Sequence, residues 1–174
     1  MSTIEFEFDM QKTIEAILYI ANRLSAPTIR DVVKLIFFAD KTSLENYGRF
    51  VTGDRYVAMR QGPVPSETYN LLKAGRDTDT YGFKVVHRYH VETLRDADTE
   101  EFSDSDIACL DQVIDAFGHF PGWFLVKISH LDDAYKEIWS LGLSQNTPIP
   151  VEKIIRQFEE SSELLDYLEN MHND

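Results

Sequence analysis

Between Thr28 and Arg76 the chain runs TIRDVVKLIFFADKTSLENYGRFVTGDRYVAMRQGPVPSETYNLLKAGR, and this stretch restricts the fold more than any other. Ile29, Val32, Val33, Ile36, Phe37, Ala39, Leu44 and Tyr47 recur at helical spacing over a wide arc, which predicts a helix central to the core. Thr28 suits the N-cap, Asp31 stands where a near capping box needs an acid, and Gly48 is placed to stop the helix with positive φ. Arg49–Val51 and Arg55–Met59 flank Thr52-Gly53-Asp54, which predicts a hairpin turning there. In Gly62-Pro63-Val64-Pro65 two prolines fix φ and delete two donors, so an elbow is expected, with Pro65 starting a helix that carries Tyr69, Leu71 and Leu72.

The flanking sequence is mostly helical in pattern. Ile14, Ile17, Leu18, Ala21 and Leu24 follow a plausible N-cap at Asp9, and Ile107, Leu110, Val113, Ile114 and Phe117 define a helix ending at Gly118. Phe83–Leu94, rich in β-branched and aromatic residues, predicts one or two strands. Pro121-Gly122 interrupts the chain before Trp123, with a turn or two of helix to His130, and Asp133–Trp139 is a short helix. Further helices are expected from about Val151 to Glu159 and from Ser162 to Met171. The expected fold is α+β, a mostly helical single domain over 1–174 with a small antiparallel sheet or hairpin and C-terminal helices at about 150–171.

Charge is divided unevenly. Residues 1–76 hold 10 Lys/Arg and 9 Asp/Glu, whereas residues 77–174 hold 7 and 21, giving the net charge of -13. The segment 96–106, DADTEEFSDSD, has six acids and no base; it is either a solvated loop or a surface that attracts a basic partner. General affinity for nucleic acid needs clustered positive charge and is disfavoured. No apolar run reaches the roughly 20 residues that cross a bilayer. The N-terminus is acidic where a secretion signal would be basic, and the single Cys cannot form an intramolecular disulfide, so a cytoplasmic location without membrane attachment is expected.

Candidate chemistry is sparse. His87 and His90 form an H-x-x-H whose members point to opposite faces of a strand, and Cys109 has no partner at zinc-site spacing, so no metal or cofactor is expected. Cys109 lies near an apolar helix face, where a lone Cys packs as a small hydrophobe. No nucleophile elbow, zincin motif or phosphate-binding loop occurs. His130, Asp132 and Asp133 are the least implausible acid/base group if the chain is an enzyme. Arg30, Lys34 and Lys41 on one helix flank, with Arg49, Arg55 and Arg60 by the hairpin, are the only basic patch; they admit DNA-binding autoregulation or pairing with the acidic half. Tyr47, Tyr56, Tyr69, Tyr81, Trp123 and Phe124 fall at element ends or turns, where aromatic residues anchor either core edges or protein interfaces.

The Lys34-Leu35-Ile36-Phe37-Phe38-Ala39-Asp40 helix, Tyr47-Gly48-Arg49, the Gly-Pro-Val-Pro segment and Tyr69 resemble the Panacea family of SocA-like antitoxins. Ile128-Ser129-His130-Leu131-Asp132 is similar to that family's Ser-x-x-Thr-His region, although Ser129 replaces the Thr, Tyr135 stands where a Trp is usual, and Gln61 replaces an aromatic before the Gly-Pro pair. The resemblance covers about 10–140 and implies a non-enzymatic, phage-associated antitoxin that neutralises a cognate toxin protein by direct binding, in one member by delivering the toxin to a protease. On this reading Tyr56, Arg60, Gln61, Gly62, Pro63, Tyr69 and Trp123 form the partner-binding surface, and a homodimer is possible.

Overall fold

A computed structural model describes residues 4–173. Its elements are α1 (Met10–Arg23), α2 (Ile29–Tyr47), β1 (Tyr56–Met59), β2 (Gly62–Pro65), α3 (Ser66–Ala74), β3 (Phe83–Val86), β4 (His90–Thr93), α4 (Asp104–Phe117), α5 (Gly122–Ser129), α6 (Asp133–Ser140), β5 (Thr147–Pro148), α7 (Val151–Ile155) and α8 (Ser161–His172). The fold is α+β and mostly helical, with strands in the order β2-β1-β5 in one antiparallel sheet and β3-β4 as a separate hairpin.

Helix α2 is the axis of the molecule. Thr28 and Asp31 form the full capping box at its start, and Gly48 ends it at φ 72. Helices α1, α3, α4 and α5 and strand β2 all pack against it. Val32, Leu35, Ile36, Phe37 and Leu44 are essentially removed from solvent, as the wide apolar arc requires. The other caps follow the expected chemistry: the Asp9 side chain accepts from Lys12 N in α1, and Ser103 with Asp106 caps α4 reciprocally.

Two local expectations are corrected. The hairpin turns at Arg60-Gln61, not at Thr52-Gly53-Asp54, and the Gly-Pro-Val-Pro segment is strand β2 instead of an elbow. Met59 stands opposite Gly62, Ala58 opposite Pro63, Val57 opposite Val64 and Tyr56 opposite Pro65. The prolines are tolerated because β2 is an edge strand, and alternation along the ladder turns Pro63 and Pro65 away from β1. The Pro63 carbonyl, facing outward, accepts from Lys34 Nζ at 3.0 Å. Near the C-terminus the helix expected to reach Glu159 stops at Ile155 and gives way to turns before α8.

Thr52-Gly53-Asp54 instead forms a buried polar junction. Asp40 of α2 accepts from Thr52 N, Thr52 Oγ1 and, at 2.7 Å, the Tyr56 hydroxyl. Asp54 accepts from Glu67 N and from Thr68 N and Oγ1, so it caps the first turn of α3, where Pro65 offers no side-chain cap. Burial raises the Asp40 carboxyl to about 6 against three hydrogen bonds that lower it. The junction fixes the entry to β1 and the exit from β2, and with them the Arg60-Gln61 turn.

Candidate functional site: a basic groove at the start of α2

A groove of about 570 Å³ opens between the first turns of α2 and the hairpins on either side. Ile29, Arg30, Val33 and Lys34 form one wall; Met59, Arg60 and Gln61 form the β1-β2 side; Tyr69 and Arg76 close the α3 end; Tyr89 and His90 overhang from the β3-β4 turn. That overhang is fixed by backbone bonds: Ile29 N donates to the Tyr89 carbonyl at 2.8 Å, and Val91 N donates to the Pro27 carbonyl at 2.9 Å. His87 and Arg88, at φ 50 and 72, make the left-handed turn that brings Tyr89 over the start of α2.

The lining has one sign of charge. Arg30, Lys34, Arg60 and Arg76 contribute to it, and no Asp or Glu does. None of these four bases forms an ion pair among the described residues. Arg30, Arg60 and Arg76 are exposed, whereas Lys34 is 1% exposed and holds only the Pro63 carbonyl. Burial, reinforced by Arg30, pulls the Lys34 ammonium down to about 7.

Behind Lys34 the space is filled from α5 and α6. Gly62, at φ 112, lies where a Cβ would come 2.5 Å from Ser129 Oγ and 2.9 Å from Lys34 Nζ, so a side chain there is excluded twice over. Ser129 Oγ donates to the Val126 carbonyl, and the Tyr135 hydroxyl donates to the Met59 carbonyl at 2.7 Å. His130 stacks on Tyr135 at 5.3 Å, and Tyr135 stacks on Trp139 at 6.0 Å. Burial first, then Lys34, lowers the His130 pKa.

The residues expected to bind a partner separate into four groups. Arg60, Gln61 and Tyr69 line the groove. Gly62 and Pro63 are buried and act through the strand they form. Tyr56 is 2% exposed, with its hydroxyl on Asp40, so it is a core residue and not a surface anchor. Trp123, 62% exposed, lies outside the groove lining, next to Gly122, whose Cβ position is 3.0 Å from Arg30 Nε. Arg76, Tyr89 and His90 were not foreseen as lining; Tyr89 and His90 fall in the Phe83–Leu94 segment expected as one or two strands, and nothing local in the sequence marks the turn between them.

Several groups considered for other chemistries are engaged elsewhere. Asp132 is 6% exposed, caps Tyr135 N and pairs with Lys41 at 2.8 Å, and Asp133 faces solvent; neither they nor His130 line the groove. Lys41 is thereby tied to the acidic half and Arg49 reaches Asp106 at 3.4 Å, whereas Arg30, Lys34 and Arg60 of the same basic patch face the groove. His87 and His90 have rings 6.4 Å apart, and no group of three metal-ligating side chains occurs among the described residues. Cys109 is buried, as its helix position predicted. No described helix is long and apolar enough to cross a membrane.

The family model described as antitoxin SocA-like, Panacea domain, matches residues 32–136. This chain belongs to that family. The matched span runs from Val32 in α2 through β1, β2 and α3 to Lys136 in α6, and it includes Lys34, Gly62 and His130. Arg30 precedes it, so one of the groove's bases is outside the matched region. No significant match to a curated protein or to a solved structure is found.

Proposed function

We propose that this Panacea-domain protein neutralises a cognate toxin by binding it directly, with the groove at the start of α2 as part of the docking surface. The observation that carries this reading is the presentation of Arg60, Gln61 and Tyr69 at one groove whose four bases have no ion pair among the described residues. Unpaired charge at a concave surface keeps its field for an incoming partner and raises the rate of encounter. Trp123, exposed beside Arg30, extends the surface with an aromatic of the kind that concentrates binding energy. The rigid hairpin keeps the ordering cost of binding low.

The reading is tested by expressing each adjacent open reading frame alone and together with this protein. Growth arrest by a neighbour, relief of that arrest on co-expression, and co-elution of the two chains are expected. A neighbour that arrests growth and is neither relieved nor bound overturns the reading, as does the absence of any toxic neighbour. Toxin abundance in the relieved cells separates occlusion by binding from delivery to a protease.

A further inference from the structure

We propose that the groove receives an acidic, extended segment of the partner protein, its carboxylates held by Arg30, Arg60 and Arg76 at the rim and by Lys34 at the base; this rests on the direct-binding reading above.

The argument begins with a contrast of charge. A protein with net charge -13 concentrates four bases and no acid around one groove, while Lys12, Lys41, Arg49 and Arg95 are consumed by Asp106, Asp132 and Glu15 elsewhere. Lys34 adds an independent observation. It is withdrawn from solvent, has no carboxylate partner, and faces Arg30 from its own helix and His130 from the end of α5. An incoming carboxylate supplies the counter-charge that this arrangement lacks. Three exposed guanidiniums offer planar donor pairs matched to carboxylates.

The remaining lining selects the form of that ligand. Ile29, Val33, Met59 and Val64 give the lining an apolar part, and Tyr69 and Tyr89 add aromatic surface, so apolar or aromatic side chains alternating with acids would be accommodated. The groove opens to solvent between the Arg60-Gln61 turn on one side and Tyr89 and His90 on the other, which suits an extended segment. A nucleic acid would meet the repulsion of the remaining surface, and four bases give a short electrostatic footprint for a polyanion.

The test uses the full chain and a fluorescein-labelled octapeptide of alternating Glu and Tyr, read by fluorescence anisotropy. Matched Gln/Tyr and Lys/Tyr peptides and an oligothymidylate serve as competitors. The Glu/Tyr peptide is expected to bind with an affinity that falls with salt. An Arg60→Glu/Arg76→Glu double variant should bind it at least about tenfold more weakly, while Lys136→Glu, outside the groove lining, should stay within about twofold. Circular-dichroism melting confirms folding, and Arg30→Glu provides a second surface variant. Equal binding of the Gln/Tyr peptide, equal binding by the folded double variant, or preference for oligothymidylate lost in that variant overturns the proposal. Self-association lost in the double variant, showing that a second copy fills the groove, overturns it too. The same variant is then assayed for relief of the toxic neighbour. Loss of peptide binding with relief retained refutes the acidic-segment assignment alone; a wild-type chain that binds the peptide but relieves no neighbour refutes the direct-binding reading alone.

Discussion

The two ends of α2 open onto depressions of opposite charge. At its start lies the basic groove; at its end Glu45, Asn46, Tyr47 and Gly48 join Glu159, Glu160 and Glu163 around a cleft of about 470 Å³ with no base in its lining. Helix dipoles are usually complemented by acids at the N-terminus and bases at the C-terminus. Here Asp31 is the only acid in the first turn and the last turn has no base, so Arg30 and Glu45 add to the helix field instead of cancelling it. The difference between the ends is burial. The acidic cleft is lined by exposed carboxylates on the last turn of α2, the turn before α8 and α8 itself, where water screens them, whereas the basic groove has Lys34 at its base, out of water and held by strand β2. A charge that cannot relax into solvent makes the basic end the more demanding of the two.

The strongest way to break this comparison is to disturb the packing behind Lys34. Gly62→Val forces a β-branched side chain into positive φ and against Ser129 Oγ and Lys34 Nζ, and should destabilise the fold by about 3 kcal/mol. Thermal unfolding should show a midpoint lower by roughly 6–12 °C; an unchanged midpoint would mean that the hairpin does not press on α5.

The next effect is a pH slope. Lys34 titrates near 7 in the folded protein against an ordinary value of 10.5, so between those values the unfolded chain binds more protons and stability rises with pH. The penalty is fully present below pH 7 and is relieved as pH climbs. Lys34→Met should lack this slope, so from pH 7 to 9 the wild type should gain roughly 2 kcal/mol relative to the variant. Parallel stability curves in urea for the two proteins would refute a buried, uncompensated ammonium. Arg30 and His130 are the groups that face Lys34; His130, lowered by burial and by Lys34 itself, titrates below this window.

The smallest effect tests the acidic end. Glu45→Lys and Glu163→Lys replace exposed carboxylates in the cleft and should change stability by less than about 0.5 kcal/mol. Relief of a toxic neighbour should persist in both variants, in contrast to charge reversal in the basic groove. Loss of relief from the cleft variants with the groove variants intact would invert the comparison.

Local grammar in the sequence accounts for much of the architecture. Thr28 with Asp31, Asp9, and Ser103 with Asp106 cap their helices because short polar side chains satisfy backbone donors within three residues, a relation visible in sequence. The apolar arc of α2 marked it as the core helix for the same local reason. Proline chemistry was misleading at Gly62–Pro65, because missing donors exclude a central strand but permit an edge, and only pairing partners distinguish an edge from an elbow. Arg60, Gln61 and Tyr69 were legible as candidates because they border that segment; Tyr56 was not separable from them, since a tyrosine's burial depends on a distant acceptor, here Asp40.

The sequence by itself therefore determined most of the helices, the caps at Asp9 and Thr28, the acidic imbalance and the resemblance to Panacea antitoxins. Tertiary structure alone decided which bases remain unpaired. Lys41 and Arg49 meet carboxylates far along the chain, whereas Arg30, Lys34, Arg60 and Arg76 converge on a groove that provides none. Ion pairing depends on separations of a few ångströms between residues distant in sequence, and no periodicity or composition encodes them.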